Sequence, residues 1–324
     1  MIKYVQSKLL RFLCRLVSKI IYFFIPAISK IFLFLRMNSR ITNQLIRLRH
    51  DSHKNEDHTK IISKLLIDEK LVALDVGAQG GFLNNSIFHK RYDDFFTPIV
   101  AEPIQEEAEK LIKENYKVIP KGLWSSNCKK KLYILGNRLG SSSMYKPCEE
   151  NYDLYNFKKK DFSSFKVTNE VDVDCTTISE SLKKLSIKNL DFLKIDTQGA
   201  ELEILKGLGD YKPLIMKIEI QVVPMYKGIP NWSELVNNLY KINYMTCEWI
   251  EIGPHLTRSP VEMDMIFVPN YLTDPGKKII LSREKEFISL MLIFGQIKLL
   301  QVISKKLAFS NNEEIQKIND KYFH

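Results

Sequence analysis

Acids and glycines stand in this chain at spacings that would assemble a ligand site. The segment Asp75-Val-Gly77-Ala-Gln-Gly80-Gly81 follows a short apolar run, Leu71 to Val76. Glycines at such a place let the backbone turn tightly and approach a ligand, and a helix start after them presents free N–H groups. The pattern is not the dinucleotide fingerprint, because an acid precedes the first glycine by two residues and the step from Gly77 to Gly81 is four residues. A carboxylate there suits a ligand with an ammonium group and repels a pyrophosphate. S-adenosylmethionine carries such a group at its methionine end.

Glu102 ends the next apolar run, 27 residues after Asp75. An acid at that place accepts hydrogen bonds from both hydroxyls of a ribose. Taken singly, Asp75 and Glu102 are equally ordinary solvated strand-end acids; their joint placement favours a site. A third acid, Asp196, ends the run that begins at Asp191. Alternation puts Phe192, Lys194 and Asp196 on one face, with Asp196 at the tip facing a crevice. If the reaction removes a proton from a hydroxyl, Asp196 is the first choice of general base and Glu219, at the next strand end, the second. Asp196 would otherwise cap the helix that follows Thr197. Ser141 to Ser143 would contact a ligand or form a solvated polar turn, and His255 is either a base on a late loop or incidental.

Strands and helices must alternate to bring these residues together. Strands are expected at Leu71 to Val76, Pro98 to Glu102, Tyr116 to Pro120, Val171 to Cys175, Asp191 to Asp196, Leu214 to Ile220, Tyr244 to Trp249 and Met263 to Val268. Helices are expected at Phe82 to Lys90, Gln105 to Asn115, Ile178 to Leu185, Ala200 to Leu205 and Trp232 to Tyr240. Residues 121–170 are less regular, with one strand at Lys131 to Leu135. The pattern predicts an α/β fold with a mostly parallel sheet and an antiparallel closing pair. In such sheets ligands sit beyond the carboxyl ends of the strands, where the two halves meet.

A resemblance sharpens this reading. The run Phe192-Leu-Lys-Ile-Asp-Thr-Gln-Gly-Ala-Glu201, ending in Leu205-Lys-Gly207, resembles the signature of the FkbM family of methyltransferases. Val76-Gly-Ala-Gln-Gly-Gly81 and Glu102-Pro103 stand where that family has its cofactor motifs, and Met263-Asp-Met-Ile-Phe-Val268 is similar to its closing strand. The similarity covers roughly residues 60–270. It implies a Rossmann-like class I methyltransferase sheet, S-adenosylmethionine as donor, and usually O-methylation of a hydroxyl. Carried over by position, Asp75, Gly77, Gly81 and Glu102 would bind cofactor, while Asp196 and Glu201 would face the donor methyl and the acceptor. Many members have Glu where this chain has Gln198, so a carboxylate role at that position is lost. No metal is required.

Of the ten Lys and Arg in residues 1–50, none is balanced by an acid, whereas the rest of the chain holds 38 basic and 38 acidic residues. The net charge of +10 is therefore a property of one end and not of a basic cleft. Lys8, Arg11, Arg15 and Lys19 share one helical face, and Leu9, Leu13, Leu16, Val17, Ile20 and Phe24 the other. Pro26 ends or kinks that helix. The charge-free run Ile20 to Ser29 is about half the ~20 residues a membrane span needs. We expect residues 1–50 to lie on an anionic membrane surface; packing on the C-terminal helix, a span or a signal are its rivals. Residues 55–270 would form the methyltransferase domain and residues 271–324 a helical extension, with Phe287 to Leu307 one apolar helix. Its stretch Leu290 to Phe294 would pack on the domain or touch lipid.

These features lead to an O-methyltransferase for a sugar or lipid-linked surface glycan, peripheral on the cytoplasmic face of the membrane. Methylation of a small secondary metabolite and a catalytically silent membrane-bound member of the fold are the alternatives. Nucleic acid is disfavoured as a partner by the charge-balanced core and the lack of an Asn-Pro-Pro-aromatic motif. Five scattered cysteines, Cys14, Cys128, Cys148, Cys175 and Cys247, without a Cys-x-x-Cys spacing, argue against a disulfide framework or zinc site and for a reducing compartment.

Overall fold

The computed structural model describes residues 56–82, 87–155, 162–252 and 260–309. The basic segment 1–50, His255 and the end of the C-terminal extension lie outside the described residues. A seven-stranded sheet is built from β1 (Leu71–Val76), β2 (Phe96–Ala101), β3 (Lys117–Ile119), β7 (Phe192–Ile195), β8 (Ile215–Gln221), β9 (Tyr244–Glu251) and β10 (Glu262–Pro269). Their order is β3-β2-β1-β7-β8-β10-β9. The first five run parallel, and β10 is antiparallel to both β8 and β9. The expected mixed sheet with its antiparallel closing pair is therefore present. Chain order departs from spatial order between β1 and β7, so the crevice opens at the carboxyl ends of these two strands.

Helices cover both faces, which is why β7 is buried along its whole length and reads as an unbroken apolar run apart from Lys194. On one face lie α1 (Thr59–Leu66), α6 (Asp274–Ser282), α7 (Glu284–Ile293) and α8 (Ile297–Leu307), with Leu111 of α2 (Gln105–Lys113) joining the same core. The other face is packed by α3 (Ile178–Lys184), α4 (Glu201–Lys206) and α5 (Trp232–Lys241). Thr177 and Asn231 cap α3 and α5 by accepting the N–H groups of Glu180 and Ser233, each at 3.0 Å.

Three sequence expectations are corrected. The apolar helix expected over Phe287 to Leu307 is two helices, broken where Gly295 takes φ +67°. Its run Leu290 to Phe294 is buried against the sheet, with the Phe294 and Phe192 rings 5.2 Å apart, and so does not face lipid. The helix expected over Phe82 to Lys90 is replaced at its end by irregular backbone over 87–89 and a 3-10 turn at Lys90–Phe95. The strand at Val171 to Cys175 lies outside the main sheet. It belongs to β6 (Asn169–Thr176), which pairs with β4 (Gly122–Leu123) and with β5 (Cys128–Ile134) in a separate three-stranded sheet. That small sheet stands over the crevice. At the far, amino end of the strands, Arg283 donates to Asp191 Oδ1 and to the Leu190 carbonyl, each at 2.8 Å. The other Asp191 oxygen accepts the Val72 N–H at 2.8 Å, tying the C-terminal helices to β1 and β7.

Candidate active site

Lys194 and Asp75 are direct partners in the β1–β7 register, and the Lys194 ammonium lies 3.0 Å from Asp75 Oδ1 and 3.4 Å from Asp196 Oδ2. Asp75 is 0% and Lys194 5% exposed. Burial opposes the charge on Lys194, but Asp75 and Asp196 together hold its ammonium above the ordinary lysine value. A buried charge pair of this kind is stable only because each member is paired. The tip of β7 is thereby fixed to β1 from below.

Above this pair lies a pocket with about 680 Å³ of empty space, part of it open to solvent. Its floor is Val76, Gly77, Asp196 and Thr197, and Ala101, Glu102 and Ile104 form one end. Leu123, Leu132, Leu139 and Met144 cover it with apolar surface. Gly77 takes φ +83°, and a Cβ there would stand 1.9 Å from the Asp196 carbonyl, so only glycine lets β1 and β7 end side by side. The Glu102 carboxyl, 5% exposed, accepts the Ile104 N–H at 2.8 Å. Burial pushes it up to about 7.

A second pocket, about 1150 Å³ with much of it open to solvent, adjoins the first and shares Gln79, Leu139, Gly140 and Asp196 with it. Its wall adds Arg138, Tyr155, Gln198, Glu219 and Glu262. The Gln198 amide donates to Asp196 Oδ1 at 3.1 Å and also to Glu219. Its oxygen faces Gln221 Nε2 at 3.3 Å and the Tyr226 hydroxyl at 3.2 Å. Glu219 and Glu262 both line this pocket. Burial, then the charges of Asp196 and Glu262, keep Glu219 well above the usual carboxylate range, and burial pushes Glu262 up to about 7.

The Methyltransferase FkbM domain model matches residues 75–245, which takes in the carboxyl end of β1, the floor of the first pocket and the loop after β7. The chain belongs to the FkbM methyltransferase family. Its methyl donor is S-adenosylmethionine, and the pocket suits that molecule: apolar walls for a purine, a carboxyl at the β2 end, and a glycine turn at the β1 end. No curated protein matches the chain. Among solved structures it is similar to M. capricolum TrmK, determined with S-adenosyl-homocysteine, at 13% identity and a TM-score of 0.32 over 81% of this chain and 92% of that one. That likeness is too loose to inform the site.

Within this FkbM methyltransferase, Gly77, Glu102 and Asp196 line the first pocket, and Asp196 and Glu219 the second one. Asp75, Gly81 and Glu201 line neither. Asp75 is engaged by Lys194 beneath the floor, and at Gly81 a Cβ would lie 2.9 Å from the Tyr116 ring, a packing constraint. Glu201 turns inward: its Oε1 accepts the Thr197 N–H, the Thr197 hydroxyl and the Gly199 N–H at 3.0–3.1 Å. It thus holds the turn in which Gln198 and Gly199 both take positive φ, +60° and +114°. Ser143 supports the same turn by donating to the Gln198 carbonyl at 2.6 Å. Ser142 lines the first pocket and Ser141 the second. Sequence reasoning missed Glu262, Arg138 and Gln79. Glu262 sits at the start of β10 in register with Gln221, and an acid heading the closing strand was the one signal available for it.

Proposed function

We propose that this enzyme transfers the methyl group of S-adenosylmethionine to a hydroxyl of a sugar, carried on a lipid-linked surface glycan. The observation that supports this best is the place of Asp196, whose carboxylate borders the donor pocket and the acid-lined pocket at once. When bound, the donor supplies an electrophilic methyl carbon on a good sulfonium leaving group. What is left to the protein is alignment of the acceptor oxygen and removal of its proton.

Glu102 would hold the ribose hydroxyls, and the glycine turn would let the donor approach the end of β1. Asp196 would take the proton from the acceptor hydroxyl. Glu219, joined to Asp196 through the Gln198 amide, is the second candidate for that role. A wall carrying Asp196, Glu219 and Glu262, with Arg138 the one cation among its described residues, favours a neutral, hydroxyl-rich acceptor and repels phosphates and carboxylates. Carboxylates that accept from neighbouring hydroxyls are well suited to a sugar ring. The basic segment 1–50 supports work at the cytoplasmic membrane surface, since lipid-linked glycans are found there. Among the described residues no helix is long and apolar enough to cross a membrane.

The test is mass spectrometry of surface glycans from cells with and without the gene. A methyl group lost from one sugar on deletion, and restored by the intact gene but not by an Asp196→Asn copy, supports the reading. Unchanged glycans together with a lost methyl on a small metabolite would replace it.

A further inference from the structure

The small sheet over the donor pocket sets Cys128 of β5 and Cys175 of β6 directly opposite each other across an antiparallel ladder. Both thiols are free, and the Cys175 thiol donates to the Val173 carbonyl of its own strand at 3.9 Å. Opposed residues on such a ladder have Cα atoms about 4.5–5.5 Å apart, and a disulfide accepts Cα separations of about 4.4–6.8 Å. The strands therefore need little movement to be joined. Cys128 is partly exposed and Cys175 is buried, so a small oxidant reaches one thiol and finds the other waiting behind it.

We propose that Cys128 and Cys175 are a redox-modification site, closing to a reversible disulfide that staples the roof of the donor pocket. The oxidant is a small disulfide of the glutathione type. The Cys128 thiolate attacks it, forming a mixed disulfide and releasing one thiol. Cys175 then loses its proton to solvent and attacks the Cys128 sulfur, forming the protein disulfide and releasing the second thiol. Two electrons pass from the protein dithiol to the oxidant, which leaves as two thiols. Burial pushes the Cys175 thiol up to about 12, which makes the second step the slow one and fixes the order.

The link has a route to the cofactor. The Cys175 sulfur lies against Gly122, where an added Cβ would stand 2.7 Å from it. Gly122 and Leu123 of β4 and Leu132 of β5 all line the donor pocket. Tying β5 to β6 would stiffen this wall and so slow release of the nucleoside. Cross-strand disulfides that are strained or near the surface belong to the more easily reduced class, as a reversible switch requires.

The full-length protein would be equilibrated in oxidised and reduced glutathione at several ratios, alkylated and mapped by mass spectrometry. The expected result is a species lighter by two hydrogens with a Cys128–Cys175 linked peptide. It should persist in Cys148→Ser and vanish in Cys128→Ser and Cys175→Ser. Stopped-flow dissociation of S-adenosylhomocysteine should be several-fold slower from the linked form and return to the reduced rate with dithiothreitol, while Cys128→Ser ignores the oxidant. A mixed disulfide that stays on Cys128 without closing would overturn the site. A closed link with unchanged dissociation would overturn its action on the pocket.

Discussion

Gln198 Nε2 donates to Asp196 Oδ1 at 3.1 Å from a residue held at φ +60°, and the same amide reaches Glu219. One strained residue therefore separates two carboxylates that would otherwise face each other. Strain of this kind costs about 1–3 kcal/mol and persists only where neighbours hold it in place.

Removing that amide should cost more when the acids are charged. Gln198→Ala takes the donor from both carboxylates, and protonation of Glu219, already held well above the usual range, relieves the repulsion. We expect urea denaturation to show a loss of about 1–3 kcal/mol at pH 8 and a smaller loss at pH 6. An equal loss at both pH values would mean that the amide serves packing alone.

Binding and chemistry should separate between Glu102 and Asp196. Glu102→Ala removes charge-assisted hydrogen bonds worth roughly 1.5–3 kcal/mol each, so affinity for S-adenosylhomocysteine should fall by about one to two orders of magnitude. Asp196→Asn keeps the shape of the shared pocket wall but removes the proton acceptor. Cofactor should still bind while methyl transfer falls about 10²- to 10⁴-fold. Calorimetric titration of both variants checks this; if Asp196→Asn loses cofactor as badly as Glu102→Ala, Glu219 becomes the leading base.

Glu102 also predicts a pH dependence with a definite sign. Its folded-state value, about 7, exceeds the ordinary 4.5, so between these values the folded protein binds the extra proton. Its contribution to stability is fully present below about pH 4.5 and is lost as pH rises through about 7. The cofactor-free enzyme should lose roughly 2–3 kcal/mol from this group over that range, and Glu102→Gln should flatten the curve. Affinity for S-adenosylhomocysteine should move the other way, rising from pH 6 to pH 8 as the carboxylate forms and accepts the ribose hydroxyls. Denaturation and titration at matched pH values measure the two slopes.

Much of this site was legible because strand ends carry their own punctuation. An apolar run, an acid and a glycine turn identify the carboxyl end of β1, and Gly77 and Asp196 meet where the spacing puts them. Side-chain direction was less legible. Asp75 and Asp196 look equivalent in the sequence, yet the Lys194 ammonium between the strands draws Asp75 under the floor, a pairing that depends on β1–β7 register. Glu201 was placed at the crevice by family position, whereas the left-handed turn before it presents N–H groups that pull its carboxylate inward. Strands were expected at Lys131 to Leu135 and Val171 to Cys175, but not their pairing into a sheet of their own, because the lysines of β5 meet the acids of β6 only across the ladder, Lys129 opposite Asp174 and Lys131 opposite Asp172.

The basic segment should seek anionic lipid. Each Lys or Arg near such a surface contributes about 1 kcal/mol, and added salt weakens the effect within a Debye length. Residues 1–50 fused to a fluorescent reporter should bind vesicles containing anionic lipid, bind neutral vesicles less, and release as salt is raised. Equal binding to both vesicle types would remove the electrostatic basis for a membrane role.

Glu201 should behave as a structural acid whose loss is felt by the fold before the chemistry. Its carboxyl is buried, which raises it above the ordinary value against the pull of the Gly199 and Thr197 N–H groups, and it accepts three hydrogen bonds from one short turn. Glu201→Ala leaves the buried Gly199 N–H without its acceptor, at a cost of roughly 1–3 kcal/mol, and releases the part-buried Thr197 donors as well. Glu201→Gln keeps one acceptor oxygen and the side-chain shape, so it should retain most of the stability. If Glu201 instead removed the acceptor proton, Glu201→Gln would fold and bind cofactor normally but lose transfer as deeply as Asp196→Asn. We expect the opposite pattern: Glu201→Gln within about tenfold of the wild-type transfer rate, and Glu201→Ala with a markedly lower melting temperature and a weakened hold on cofactor as the turn carrying Gln198 relaxes. Thermal denaturation with and without S-adenosylhomocysteine, alongside transfer rates for the two variants, distinguishes a residue that shapes the turn from one that takes part in the reaction.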